Sequence, residues 1–400
     1  MSYRIKRNSN LEILRIIAMI FIIAHHFTIH GMADVNFIAS NSNNYVIYFL
    51  GILGKIGVNI FILISAYFMI DSKFTFRKFL TLGGEVYFYA LLFLLIFVEF
   101  ITPPSPLTVM DYGIALLPIS HSAYWFVTGY IVLMVLSPFL NKFIKSMSKS
   151  SLIKLLSVLL VIWVVFPSIT PTFIDGPVTT IFVGYSFQYV PIIWFIILYL
   201  IGSFIKLHVD IDKFSFKKLI LVFSISMIIT YAVACIIGYY DIILPADKNL
   251  HMWLGYPIEA LTDDRLFMWP ALENKIFLFV ASLTLFLIFL KRKEFSNKYI
   301  NYIAGSAFGV YLIHDNLMVR PYLWNNLLHV SSYYYSPYLW LFAIGSLFGV
   351  YIICTGIDIV RRETVEKIWI WIIDNYLNKI PIWFGKKFKG FENYIDNYLK

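Results

Sequence analysis

Apolar residues in this chain come in long runs, unlike the alternation of a half-buried strand or the one-sided stripe of a surface helix. A membrane helix needs about 20 mostly apolar residues. Ten stretches qualify, at roughly 11–30, 51–70, 79–101, 122–140, 152–168, 181–205, 219–238, 271–290, 300–319 and 337–360. The ninth is the most polar and the fifth the shortest. No fixed-period repeat or low-complexity segment interrupts the pattern. The pattern predicts an all-α, polytopic membrane protein with about ten transmembrane helices.

The polar segments between the runs carry the orientation. Cytoplasmic loops are enriched in Lys and Arg. With the N-terminus inside, all but six of the 32 basic residues fall on cytoplasmic segments, Arg361 and Arg362 of the tail among them. The six exceptions are Arg15, Lys55, Lys248, Arg265, Lys275 and Arg320, in helices or on the outer side. A missed or extra helix would scramble this alternation, so it predicts cytoplasmic N- and C-termini as well as the count. The net charge of +9 is then mostly topology, and no nucleic-acid partner is expected. The outer loops at 101–121 and 239–270 are rich in Pro, Tyr and Trp. The second carries Asp241, Asp247, Glu259, Asp263 and Asp264.

Composition excludes a soluble fold. Apolar residues make up 60% and charged residues 14%, against roughly 45–50% and 25% in soluble domains. Cys235 and Cys354 lie in apolar runs and read as buried small hydrophobes, with no metal spacing. The basic start lacks a small-residue cleavage site and predicts a retained first helix. The chain divides into a basic cytoplasmic N-terminus (1–10), a membrane domain (11–360) and a basic, Trp-rich tail (361–400). Trp369, Trp371 and Trp383 beside lysines place the tail on the inner membrane surface.

Ionisable residues inside spans are functional candidates by default. In "LEILRIIAMIFIIAHH", Arg15 and His26 are 11 residues apart. At 100° per residue they share one helical stripe, about 16 Å apart along the axis. Glu12 joins that stripe, and His25 points about 80° away from Arg15. His30 falls at the outer, interfacial end. A neutral imidazole can take a proton from a hydroxyl or attack an activated acyl group. An Arg15–Glu12 pair and a His26 hydrogen-bonded to a neighbouring helix is the plainer alternative.

Three further clusters stand out. Lys73, Arg77 and Lys78 follow the second span and fit either inner-surface charge or an anion site for a phosphate-bearing cosubstrate. Tyr124 and Trp125, after His121, fit either an aromatic belt or a stacking platform for sugar. His314 and Asp315, with Arg320, fit either a structural pair or part of a site. There is no P-loop, HExxH, GxSxG or CxxC pair, and the Gly83–Gly84 pair is too slight for a phosphate loop.

The order of "LEILRIIAMIFIIAHH", "GVNIFILISAYFM", "YWFVTGYIVLMVLSPFLN" and "GSAFGVYLIHD" resembles the acyltransferase 3 family of integral membrane acyltransferases, close to its bacterial polysaccharide O-acetyltransferases. The resemblance covers about residues 8–355. It implies a multi-pass protein of the bacterial cell membrane that moves an acetyl group from cytoplasmic acetyl-CoA, or another acyl-CoA, to a hydroxyl of a polysaccharide or lipid-linked glycan. Carried over, the family's Arg and His of the first helix fall on Arg15 and His26. His26 would act as general base or transient acyl carrier. Lys73, Arg77 and Lys78, with Arg15, would hold the acyl-CoA phosphates. Tyr124, Trp125, His314 and Asp315 would shape the acceptor site, with membrane lipid the surrounding partner and no metal required. Two departures matter. Ser65-Ala66 stands where the family has Ser-Gly. No soluble transferase domain is appended, so any acyl relay would stay within the membrane part. A transporter or flippase for a glycan or its lipid-linked precursor is the competing reading. Such proteins show helices broken at the midplane, and the first, third, seventh and eighth spans have no central Pro. A purely structural role in an export complex would leave Arg15 and His26 without a task.

Overall fold

The computed structural model describes residues 7–101, 107–119, 124–169, 191–243 and 270–377. Among these residues the regular elements are all helical. The longer ones are α1 (Ser9–Ile29), α2 (Asn43–Met69), α3 (Phe76–Glu99), α4 (Val109–Leu116), α5 (Trp125–Ser146) and α6 (Lys149–Ser168). They continue with α7 (Pro191–His208), α8 (Phe216–Ile243), α9 (Ile276–Lys291), α10 (Lys298–Ala304), α11 (Ala307–His314), α12 (Leu339–Glu363) and α13 (Val365–Asn375). Among the described residues, seven helical stretches are long and apolar enough to cross a membrane: α1, α2, α3, α5, α6, most of α8, and the run from Leu339 to Asn375. α7 and α9 are shorter apolar helices. The protein is thus a polytopic all-α membrane protein.

α2 is the most enclosed span. α1 lies along it, α7 and α9 pack on it, α8 covers α9, and α12 closes on α1 and α11. The α1–α2 approach depends on small residues. A Cβ at Gly54 would strike the His25 side chain, and one at Gly57 would strike the Ala18 carbonyl. Glycines spaced this way let two helix backbones meet where lipid gives no hydrophobic drive.

The start of α1 is fixed by chain far away in sequence. The Asn8 side chain caps the helix by accepting from the Asn10 amide at 2.9 Å. Ser9 N–H donates to Phe295 O at 2.9 Å, and Ser9 Oγ donates to Asn301 Oδ1 at 2.7 Å.

Two expectations change. The ninth span is not one helix. It breaks at Gly305–Ser306, between α10 and α11. Arg362 occupies the break, where its Nη1 donates to Tyr302 O at 2.9 Å and Ser306 Oγ at 3.0 Å. A guanidinium can satisfy carbonyls that a broken helix leaves open. The second change concerns Arg361. The charge count treats it as a surface charge of the tail, but α12 runs on to Glu363 and leaves Arg361 only 6% exposed. It meets Asp358 at 2.8 Å, Glu366 at 2.9 Å and Glu85 of α3 at 3.0 Å. Tyr89 of α3 donates to the same Asp358 oxygen at 2.8 Å.

α13 packs against α3. Trp369 Nε1 donates to Leu80 O at 2.9 Å, and its indole lies over Gly84, where no side chain intervenes. Gly84 therefore serves packing. Trp371 is exposed, and Trp383 lies outside the described residues.

Candidate active site

A cavity of about 660 Å³ opens beside the second half of α1. Its wall includes His26 and His30 of α1, Lys55 of α2, Trp125 of α5, and Asp315 and Arg320 beyond α11. One turn of helix separates His26 from His30, so both face the same way. His25 is held toward α2, with Nδ1 2.8 Å from Gly51 O, and still borders the cavity.

The proton positions around His26 follow from a chain of three groups. His314 ends α11 and is fully buried. Its Nδ1 lies 2.6 Å from Val310 O. A carbonyl can only accept, so Nδ1 carries the hydrogen, and in the neutral ring Nε2 carries the lone pair. His314 Nε2 lies 3.0 Å from His26 Nδ1. His26 Nδ1 is then the donor, which leaves the lone pair of His26 on Nε2. A backbone carbonyl two links away thus selects the tautomer in which His26 can accept a proton.

Asp315 supports this pair from the side. It is 2% exposed. Its Oδ1 accepts from Arg320 Nε at 3.0 Å and lies 2.9 Å from Nη2, which donates to the Asp315 carbonyl at 3.3 Å. The same oxygen lies 3.5 Å from His26 Nδ1 and 3.6 Å from His30 Nε2. His30 was expected at the interface. It also joins this cluster, because α1 carries helical geometry through it and its N–H still reaches His26 O.

His26, His30 and Asp315 offer atoms within 4.8 Å of one another, a spacing a metal ion could bridge. The donor set argues for another use. Arg320 already binds one oxygen of Asp315. The Nδ1 of His26 that faces this oxygen carries hydrogen. Groups so arranged move and stabilise protons.

The structure divides the site residues inferred from sequence into two sets. His26, Asp315 and Trp125 border the cavity, and His314 sits directly behind His26. Tyr124 stands behind the wall: its hydroxyl donates to Leu312 O at 3.0 Å and accepts from Asn316 Nδ2 at 2.7 Å, so it braces the 312–316 segment. Arg15 pairs with Glu12 at 2.5 Å as the stripe predicts, but the α1 part of the cavity wall begins at Met19. Lys73, Arg77 and Lys78 lie exposed around the start of α3, away from the cavity. Arg77 grips Asp374 of α13 at 2.7 Å, and Lys78 Nζ donates to Lys73 O at 3.3 Å. His121 and the acidic residues Asp247, Glu259, Asp263 and Asp264 lie outside the described residues.

Sequence reasoning missed three contributors: His30, the Lys55–Glu273 pair and the tryptophans Trp163 and Trp194, all on the cavity wall. Only His30 carried a usable signal, its spacing of four from His26.

No curated protein and no solved structure matches the chain. Residues 8–359 match the Acyl_transf_3 family, described as an acyltransferase domain. That match runs from the cap of α1 to the last turn of α12 and takes in every residue of the histidine cluster, so the chain belongs to this family and is a membrane acyltransferase.

Proposed function

We propose that the protein transfers an acetyl group from cytoplasmic acetyl-CoA to a hydroxyl of a cell-surface or exported polysaccharide in a bacterial cell membrane. The observation that carries this reading is the Val310–His314–His26 chain, which turns the His26 lone pair to Nε2 on a residue lining the cavity. In the reaction, Nε2 takes the proton of the acceptor hydroxyl while its oxygen attacks the acyl carbonyl carbon. The carbon–sulfur bond breaks, and the departing thiolate takes the proton from the His26 imidazolium. Asp315, 3.5 Å from Nδ1, stabilises the imidazolium while it exists. Arg15 and the exposed Lys73, Arg77 and Lys78 would meet the phosphates of acetyl-CoA at the Ser9 end of the bundle, the end assigned to the cytoplasm by the distribution of basic residues.

His26→Ala tests the reading. In cells carrying the gene and its acetylated glycan, the acetyl signal in proton NMR of surface glycans should fall by about 10²- to 10⁴-fold, with the protein present at normal levels. Unchanged acetylation would remove His26 from the mechanism.

One observation favours the competing reading as a glycan transporter or flippase, namely the break between α10 and α11. Arg362 fills that break and the cavity wall lies elsewhere, so it serves packing better than a substrate path. Label passing from acetyl-CoA to a glycan in reconstituted protein separates the two.

A further inference from the structure

Opposite chemistry lines another part of the cavity wall. Lys55 sits near the midpoint of the 27-residue α2, where a charge is costly and calls for a use. Its Nζ lies 2.9 Å from Glu273 Oε1. Both side chains border the cavity and both are 18% exposed. The Lys55 ammonium also stands 5.3 Å from the centre of the Trp125 ring.

The pair is mounted rigidly. Asn59, one turn beyond Lys55, is fully buried. Its Nδ2 donates to Glu273 O at 2.8 Å and to Ser282 Oγ of α9 at 3.2 Å. Its Oδ1 accepts from Trp194 Nε1 of α7 at 2.8 Å. One amide therefore ties α2, α7 and α9 together and fixes both Glu273 and the Trp194 ring. Such a buried, well-satisfied amide holds neighbouring groups to a single geometry.

We propose that the Lys55–Glu273 pair, held by Asn59, is the wall that recognises the ring hydroxyls of a neutral pyranose acceptor and selects against acidic sugars. This rests on the transfer reaction proposed above and assigns the acceptor side of that site. The ammonium donates to a hydroxyl oxygen and the carboxylate accepts from a hydroxyl hydrogen, so neighbouring hydroxyls on one ring engage both ends. Trp125 and Trp194 border the same cavity and supply aromatic surface for the carbon–hydrogen side of the ring. The paired charges sum to zero. A sugar carboxylate would meet Glu273 as well as Lys55 and gain little.

The test uses purified full-length protein in nanodiscs and two probes, methyl β-D-glucopyranoside and methyl β-D-glucuronide, each titrated by tryptophan fluorescence. Acetyl transfer from labelled acetyl-CoA is followed in the same samples. Glu273→Gln keeps the shape of the side chain and leaves Lys55 uncompensated. The ratio of the two dissociation constants should shift toward the glucuronide by at least tenfold, with the acetyl-CoA affinity unchanged. Lys55→Gln should shift the ratio the other way, and it serves if Glu273→Gln does not fold. An unchanged ratio, an equal loss for both probes, or no binding of either probe by the unaltered protein would overturn the assignment. If the ratio shifts and the unaltered protein transfers no acetyl group, the acceptor wall stands and the proposed reaction fails.

Discussion

Asp315 and Asp358 are both buried carboxylates, each gripped by an arginine and each set against the same short helix. Asp315 directly follows α11, and Asp358 presses on its Gly309, where any Cβ would strike the carboxylate. Their surroundings differ. Asp315 has two imidazoles and a cavity before it. Asp358 has Tyr89, Arg361 and, through Arg361, Glu85 and Glu366, with no part in the cavity wall. Buried charge in a membrane protein is read as function by default. The comparison shows that it can equally be architecture, and that adjoining space with a proton-accepting atom beside it tells the two apart.

The comparison can be broken most forcefully at Arg361. Arg361→Met leaves three carboxylates near one another without their cation. Removing one partner of a buried pair costs about 3–5 kcal/mol, so thermal unfolding in detergent should move down sharply. The fraction still folded at low temperature should turn over within about twofold of normal, because neither Arg361 nor its three carboxylates line the cavity. Lost turnover with unaltered melting would place the Asp358 network in the reaction and dissolve the contrast.

His314→Asn sharpens the other side. It removes the group that directs the His26 lone pair but touches no cavity space. Coupled neighbours interact by about 0.5–3 kcal/mol, which is roughly twofold to a hundredfold in rate. The loss should vanish when His26 is already alanine, as measured by turnover of both single variants and the double. Additive losses would mean that His314 acts on the reaction without His26.

The smallest effect belongs to a region that shares neither network. Thr108 donates from its backbone N–H and its hydroxyl to Asp111 at 2.7 Å, closing a capping box at the start of α4. Those bonds hold the Asp111 carboxyl below its ordinary range, the backbone one foremost. A depressed carboxyl stabilises above its unfolded value and loses that contribution as pH falls through its folded value. The protection of α4 amides against exchange, relative to the unstructured rate at each pH, should therefore fall only in acid, and Asp111→Asn should flatten that dependence while acyl transfer stays unchanged. Protection that still falls in acid with Asn in place would assign the effect to another group.

How much of this was legible in sequence depended on distance along the chain. Helical arithmetic paired Arg15 with Glu12 and separated His26 from His25, because those relations lie within one helix. The edges of α1 and α3 fell close to their apolar runs for the same reason, whereas α2 begins at Asn43, well before its run. Hydropathy could not reveal the break at Gly305–Ser306, since two small residues scarcely change it and Arg362, which fills the gap, comes 56 positions after Ser306. Arg361 was counted as surface charge because its three partners come from α3, α12 and α13. The part His30 takes in the cluster was missed because its partner Asp315 lies far away in sequence. Lys55 was noticed only as an exception to the charge rule, as its partner Glu273 is far away in sequence.

His26 and His314 are separated by 288 positions, and so are Ser9 and its partner Asn297. Ribosomes add about 5–20 residues per second. The first helix therefore waits roughly 15–60 s, at those rates, before the chain that completes either of its ends exists. During that interval it can rest on α2, whose glycines receive it early, with its imidazoles still unmatched. The protein thus acquires its membrane anchor early and its chemistry late, and a nascent chain cut short before α11 would hold a helix bundle with no tautomer chosen for His26.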